Sequence, residues 1–216
     1  MAIGVWWRPA ENPQRADWIR DGSYPAVFDR SGNRWMAQAF THTVRILHPA
    51  YLNDRPVRWE DIGSRTGHTL NMGSSWYDVS GSTSPNHVVE HVFDCPPEQG
   101  SLPALFQEPL YECLATVSTG LLWNGYNDPE ARRLLDLAPS TQIDTAEFQV
   151  LEASDSNEYG FELAVTPNYW WPEDHSWCAA TGIDSFDTLV ATSDTRLTAN
   201  IMAIPGIEAL MIPSRS

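Results

Sequence analysis

The sequence predicts an α+β fold, with a mixed, mainly antiparallel sheet, three to four helices and a C-terminal β-α-β unit. Three observations support this class. Polar and apolar residues alternate over 34–47, which indicates a strand with one buried face. Asn12-Pro13 and Asp128-Pro129 each place a capping residue before a proline, which is typical of a helix start. Residues 189–191, 194–203 and 207–212 follow one another as strand, helix and strand.

In the first half of the chain, the helix that begins at Pro13 is predicted to run to Arg20 and to end at Gly22. Residues 24–29 and 34–47 then form a hairpin around an Arg-Ser-Gly-Asn turn. Residues 63–86, rich in Gly, Ser, Thr and Asn, are expected to be a long loop, either mobile or ordered by a partner. The next predicted strand is 88–93.

In the second half, Glu108-Pro109 is expected to open a helix whose apolar stripe ends before Gly120. The remaining predicted elements are a strand at 121–123, a helix from Asp128 to about Leu137, a hairpin of 147–151 with 160–165, a strand at Trp177–Thr181, and a parallel strand pair in the C-terminal unit. We expect residues 1–216 to form a single domain, with 63–100 as the only stretch that suggests an internal boundary.

The charge of the chain is distributed unevenly. All thirteen basic residues are arginine, and no lysine is present. Residues 1–65 hold nine arginines and seven acids (+2), whereas residues 66–216 hold four arginines and twenty-one acids (−17). Such a field repels nucleic-acid phosphates and acidic membranes and accelerates association with basic proteins. The charge therefore argues against a nucleic-acid partner and favours either a basic protein partner or solubility alone.

The three cysteines, Cys95, Cys113 and Cys178, are widely spaced and odd in number, which argues against a disulfide framework and fits a reducing compartment. The first residues lack the basic and apolar regions of a signal peptide, and no apolar run reaches membrane-spanning length. We therefore expect a cytoplasmic protein without a membrane partner.

The stretch 168–188 is the most unusual part of the sequence, because Tyr169, Trp170, Trp171 and Trp177 flank a Pro-Glu-Asp-His turn. It is either a binding site or a buried corner, and a second aromatic cluster at 123–126 has the same two interpretations. The predicted binding residues are Trp123, Tyr126, Trp170, Trp171, Glu173, Asp174 and Trp177.

One motif has the form of a zinc site. His87, Glu90 and His91 match the HxxEH pattern of inverted zinc peptidases, which needs both imidazoles on one helical face. The valines around them favour a strand, in which four residues span roughly 13 Å, too far for one metal ion. Cys178 and His175 are a further candidate for a thiolate and its base, but a small buried cysteine is the commoner state and is the interpretation we favour. No nucleophile elbow or phosphate-binding loop is present, so we expect no metal or other cofactor and favour a binding protein over an enzyme.

The run from Thr166 to Asp184 (TPNYWWPEDHSWCAATGID), followed by a helix and the run 207–210, resembles a widespread group of uncharacterised actinobacterial proteins. Those carry a Pro-Asn-Leu-Trp-Trp-Pro-x-Asp run followed by Trp-Cys-x-Ala-Thr-Glu-Ile-Asp. The runs 47–51, 56–59 and 122–126 are similar to other segments of the group. This chain has Gly182 where the group has Glu and Asn124 where it has Asp. The resemblance implies an architecture rather than a reaction.

Three functions remain open. The first is an acidic protein-binding module, most concretely an immunity-type protein that neutralises a basic toxin. The alternative is an enzyme or small-molecule binder with a deep pocket lined by Trp123, Trp171 and Trp177. A purely structural subunit is a third hypothesis, which would need an extended apolar patch.

Overall fold

The computed structural model of the chain describes residues 5–20, 40–114, 116–126, 129–143, 145–154, 160–163 and 165–212. Its strands are β1 (Trp6–Pro9), β2 (His42–Leu47), β3 (Ala50–Leu52), β4 (Arg55–Val57), β5 (Thr119–Trp123), β6 (Ser140–Ile143), β7 (Ala146–Ser154), β8 (Phe161–Glu162), β9 (Tyr169–Trp171), β10 (Trp177–Thr181), β11 (Asp187–Thr192) and β12 (Glu208–Ile212). Its α-helices are α1 (Asp17–Arg20), α2 (Trp59–Thr66), α3 (Trp76–Ser80), α4 (Ala104–Leu114), α5 (Pro129–Leu135) and α6 (Thr195–Met202). The α+β class is confirmed. No helix in the described ranges has the length and apolar character needed to cross a bilayer.

Ten of the strands form one sheet in the order β12-β2-β11-β10-β9-β5-β7-β1-β8, with β6 beside β7. All of its pairings are antiparallel. The strands β3 and β4 form a separate hairpin. The mainly antiparallel sheet predicted from the sequence is therefore confirmed.

Both faces of the sheet are buried over its centre. On one face the core includes apolar residues of α4, α5 and α6, such as Leu110, Leu134 and Ile201. On the other face, a second core includes Ala16 and Ile19 from the N-terminal helical segment. A third core joins α2 and α3 to Leu47 and Phe186 at one end of β2 and β11. Each large apolar side chain buried in this way stabilises the fold by about 1.5–3 kcal/mol.

The N-terminal helix is confirmed within the described residues. A 3-10 turn (Pro13–Ala16) leads directly into α1, and the Asn12 side chain accepts a hydrogen bond from Gln14 N at 3.0 Å. The predicted stop at Gly22 lies outside the described residues. The capping residue and the following proline therefore located this element correctly.

The predicted hairpin of 24–29 with 34–47 is wrong for the part that the structure describes. One edge of β2 pairs with β11 and the other pairs with β12. Residues 43–47 are consequently buried on both faces, instead of exposing one face to water. Residues 21–39, which include the other predicted strand, lie outside the described residues.

The predicted loop 63–86 contains the end of α2 and all of α3. Trp76 of α3 is 1% exposed, and its ring centroid lies 5.4 Å from that of Trp59 and 5.0 Å from that of Phe93. The loop was predicted because Gly, Ser and Asn dominate the composition. Several of those residues are helix caps: Ser75 begins α3, and Gly67 and Gly81 end α2 and α3 in the left-handed conformation.

Residues 88–93 do not form the predicted strand. Val92 N and Phe93 N both donate hydrogen bonds to Val89 O, which closes a tight turn. His91 lies in this turn with a φ of 63°, a left-handed conformation outside the range of a regular strand. The helix predicted to open at Glu108 instead begins at Ala104, and Pro109 lies inside it.

The predicted hairpin of 147–151 with 160–165 is also wrong. β7 pairs with β5 on one edge and with β1 and β6 on the other. The short β8 pairs with β1.

The C-terminal strand, helix and strand are confirmed as β11, α6 and β12. However, the two strands are not neighbours, because β2 lies between them and is antiparallel to both. β11 and β12 therefore run in the same direction with one strand interposed.

Candidate functional site

Three of the predicted binding residues belong to the core. Trp170, Trp171 and Trp177 are 0%, 1% and 3% exposed, because β9 and β10 lie in the middle of the sheet. The ring of Trp170 lies 5.0 Å from Tyr111 of α4 and 5.4 Å from Trp177. A protein partner therefore has no direct access to these rings. They form a buried corner rather than a binding site.

The turn 172–176, which joins β9 to β10, places Glu173 and Asp174 on the surface. Glu173 Oε2 lies 3.1 Å from Arg15 Nη1, so its charge is already paired. Asp174 Oδ1 accepts a hydrogen bond from Ser176 N at 3.0 Å, and bonding to Ser176 lowers the pKa of this carboxyl. His175, with a φ of 54°, stacks on Trp18 with ring centroids 4.4 Å apart. This turn is thus an ordered corner.

Trp123 and Tyr126 lie at the opposite end of the sheet from that turn. β5 and β9 are antiparallel, with Thr119 opposite Trp171 and Leu121 opposite Tyr169. Trp123 is therefore four residues beyond the level of Trp171, roughly 13 Å along the strand. The seven predicted binding residues do not form one site.

The pocket required by the alternative function is not formed by its three predicted tryptophans. Trp177 belongs to the core beneath α4, whereas Trp171 and Trp123 belong to the core on the other face of the sheet. The sheet itself separates these rings, so they do not line one cavity.

A buried asparagine organises the end of the sheet that carries Trp123 and Tyr126. Asn168 is 1% exposed, and its Oδ1 accepts a hydrogen bond from Trp123 N at 2.9 Å. Its Nδ2 donates to Thr181 O at 3.1 Å and to the Tyr126 hydroxyl at 3.0 Å. Asn168 therefore fixes the end of β5 against the end of β10. Sequence reasoning missed this role, although the Pro-Asn pair before an aromatic run was visible.

The segment 98–101, which we call the strap, closes this end of the molecule. Tyr126 donates a hydrogen bond to Gly100 O at 2.6 Å, and Gly100 N donates to Ser185 O at 2.9 Å. Gln99 Nε2 donates to Asp184 O at 2.9 Å. The strap is thus bound to the 123–126 segment on one side and to the β10–β11 turn (182–186) on the other.

A buried histidine anchors the start of the strap. His48 is 0% exposed, and its Nδ1 lies 2.8 Å from Glu98 O. Because a carbonyl oxygen only accepts, Nδ1 carries the proton, and in the neutral ring Nε2 accepts from the Thr188 hydroxyl at 2.9 Å. Thr188 Oγ1 lies 2.7 Å from Thr181 Oγ1, which continues the chain of hydrogen bonds to β10. The main chain at Glu98 is thereby held in place, while the residue as a whole is exposed and partial burial of its carboxyl group raises the pKa of that group.

Acids and aromatic rings meet along this end, and we call Glu98, Trp123, Tyr126, Glu147 and Asp184 the acidic rim. The three acids are exposed and the two rings are partly exposed. The rings are edge to face with centroids 5.5 Å apart. Burial, together with the negative charges of Glu98 and Asp184, raises the pKa of the Tyr126 hydroxyl. Carboxylates beside aromatic faces are the groups that bind a guanidinium or ammonium ion.

The structure gives no support to the zinc motif. His87, Glu90 and His91 are all exposed, and Glu90 Oε1 lies 3.4 Å from His91 Nε2. Across the described ranges, no three His, Cys, Asp or Glu side chains are grouped to hold a metal ion. Cys178 is buried, and burial raises the pKa of its thiol to about 12, so it stays protonated and is a poor nucleophile.

No family model, curated protein or solved structure matches this chain. The resemblance to the actinobacterial group therefore remains an expectation based on the quoted runs. The function has to be inferred from the geometry and charge of the chain itself.

Proposed function

We propose that the chain is a cytoplasmic protein-binding module that takes up a basic partner, most concretely an immunity-type protein that neutralises a basic toxin. The observation that carries the proposal is the acidic rim, where three carboxylates and two partly exposed aromatic rings occupy one fixed end of the sheet. Such a surface is complementary to arginine and lysine side chains.

The exposed charges of the described residues support the same partner. Sixteen acidic side chains are exposed, against six exposed arginines. Arg45 adds nothing to the surface charge, because it is buried against Asp187. The negative charge of the described residues is thus mostly exposed, and it would raise the association rate with a basic protein.

The rigidity of the rim is a further argument. Asn168, His48 and Tyr126 hold the backbone of the rim by hydrogen bonds of 2.6 to 3.1 Å. A surface that is ordered before binding loses less conformational entropy in the complex. This suits a protein that must capture a toxin tightly.

The direct test is co-expression. The protein encoded beside this gene, if basic and toxic, is expressed in a bacterial host with and without this chain. We expect the chain to restore growth and to co-purify with the toxin at a one-to-one ratio. Undiminished toxicity, together with no binding of the two purified proteins in calorimetry, would contradict the proposal.

The rim is tested by a double variant, Glu98→Gln with Asp184→Asn. We expect the affinity for the basic partner to fall about tenfold or more, because two charge-assisted contacts are lost. The matched control is Glu108→Gln with Glu112→Gln on α4, which removes the same charge from two exposed positions elsewhere. Equal losses in both double variants would show that net charge, rather than the rim, determines binding.

A further inference from the structure

Tyr77 carries an exposed aromatic ring on α3, a short helix that is capped at both ends. Its side chain is 37% exposed, and its ring lies edge to face on Phe186 with centroids 5.8 Å apart. At the start of α3, Ser75 N donates to Asp78 Oδ2 at 2.8 Å and Asp78 N donates to Ser75 Oγ at 3.1 Å. Gly81 ends the helix with a φ of 68°. The ring is therefore presented to solvent from a rigid backbone.

Met72 is a second exposed apolar side chain close by in sequence, at 49% exposure. Its carbonyl oxygen accepts a hydrogen bond from Arg45 Nη1 at 3.1 Å. Arg45 is itself fully buried and bound to Asp187, with Nε 2.8 Å from Oδ2. The main chain at Met72 is thus tied to Arg45 of β2 and, through Arg45, to Asp187 at the start of β11.

The β10–β11 turn connects these side chains to the acidic rim. Phe186, at the end of this turn, contacts Tyr77. Asp184 and Ser185, two and one residues earlier, accept hydrogen bonds from the strap through their carbonyl oxygens. The turn is therefore bordered by α3 on one side and by the rim on the other, and a single extended segment of a partner can contact both.

The charge of residues 59–100, the stretch that contains α3, indicates the chemistry of that partner segment. All residues from 59 to 100 are described, and within them six acids and one arginine are exposed. The acids are Glu60, Asp61, Asp78, Glu90, Asp94 and Glu98. An exposed aromatic ring in a segment with this excess of acids suits an arginine-rich partner, because a guanidinium can both stack on an aromatic face and pair with carboxylates.

We propose that Tyr77, supported by Met72, is the anchor of the surface that receives the basic partner, and that an arginine-rich segment of the partner runs from α3 across the β10–β11 turn to Glu98 and Asp184. This inference rests on the proposed function and adds the position of the contact and the type of side chain that makes it.

The test uses the full chain, with a peptide of nine arginines as the probe. Backbone amide signals are followed by NMR at low ionic strength during titration. We expect shifts at residues 72–78 as well as at the rim. Tyr77→Ala should raise the dissociation constant about three- to fivefold, the effect of one exposed cation–π contact. Tyr77→Phe, which keeps the ring, should bind like the original chain.

Leu137→Ala is the matched control, because Leu137 is 67% exposed and lies after α5, outside residues 59–100. It should leave the dissociation constant unchanged. Thermal unfolding of each variant identifies any loss of folding. The NMR shifts of the original chain are measured without any variant, so they locate the contact even where a variant fails to fold. Shifts confined to the rim, with Tyr77→Ala binding normally, would overturn the inference and leave the proposed function standing. No binding of the peptide at low ionic strength would contradict both.

Discussion

Arg45 and Asp187 form a fully buried ion pair between β2 and β11, with Nη2 2.7 Å from Oδ2. The guanidinium also lies 5.3 Å from the ring centroid of Trp59 on α2. Removing two charges from water costs several kcal/mol each, so the pair contributes little net stability while both partners are present. Removal of only one partner has a different effect, because it leaves the other charge unpaired in an apolar interior.

We therefore expect Asp187→Ala to lower the free energy of unfolding by about 3–5 kcal/mol. Chemical denaturation would measure this change, with the same dependence of the unfolding free energy on denaturant concentration used for the variant and the original chain. The control is Glu60→Gln, which removes an acid 3.2 Å from Arg58 on the surface and should cost under about 1 kcal/mol. A small effect at Asp187 would show that water reaches Arg45.

Cys178 offers a prediction about reactivity and pH. Burial raises the pKa of its thiol from 9.0 to about 12, so the folded chain keeps the proton at a pH where the unfolded chain loses it. The stabilising contribution is thus complete below pH 9 and is lost as the pH rises towards 12. Alkylation of the native protein at pH 8, followed by mass spectrometry, should label the exposed Cys95 and spare Cys178. Rapid labelling of Cys178 would contradict its burial.

Among the elements, the strap 98–101 determines the shape of the acidic rim, and Gly100 determines the path of the strap. Gly100 has a φ of 81°, and a Cβ at this position would lie 2.5 Å from Ile183 O. A side chain there would force the strap away from the β10–β11 turn. Only glycine therefore permits this close approach of two backbones.

Gly100→Ala should consequently destabilise the fold by about 2 kcal/mol or more, since steric overlap adds to the strain of a positive φ. It should also weaken binding of the basic partner, because Glu98 would shift with the strap. Gly67→Ala is the matched comparison, because its φ is 80° and a Cβ there meets no atom within 4 Å. It should cost about 1 kcal/mol and leave binding intact. Equal losses of unfolding free energy in the two variants would show that the strap can shift to accept a side chain at little energetic cost.

Elements with a strong local signal were predicted correctly from the sequence. The capped start at Asn12, the helix α5 from Pro129, the strand at Trp177–Thr181 and the C-terminal strand, helix and strand are confirmed, whereas the predicted cap Asp128 lies outside the described residues. The helix α3 was missed because it is only five residues long and its signal is the Ser75–Asp78 capping box within a polar stretch. Strand partners were the least predictable feature, because pairing joins residues far apart in the chain, such as Thr119 with Trp171.

At the scale of the whole molecule, the proposed function makes the uneven charge the feature that would control how fast a basic partner associates. Residues 66–216 carry four arginines and twenty-one acids, and the described acids are mostly exposed. Long-range attraction of this kind acts on association and is screened by salt, whereas the proposed contacts at the rim and at Tyr77 would act mainly on dissociation.

Raising the ionic strength from about 0.05 to about 0.5 M should therefore lower the association rate with the basic partner about tenfold or more, and change the dissociation rate much less. Surface plasmon resonance at several salt concentrations would measure both rates. An association rate that is independent of salt would show that the negative field does not guide the partner.

The sequence by itself determined the α+β class, the position of the capped helices and the excess of negative charge, because these depend on local patterns and on composition. Only the tertiary structure decided that Trp170, Trp171 and Trp177 are core residues and that Trp123 and Tyr126 lie at the far end of the sheet from Glu173. The physical reason is that the exposure of a ring depends on which elements cover its strand, and those elements are distant in the chain. A run of tryptophans and acids looks the same in a sequence whether it faces a partner or the interior.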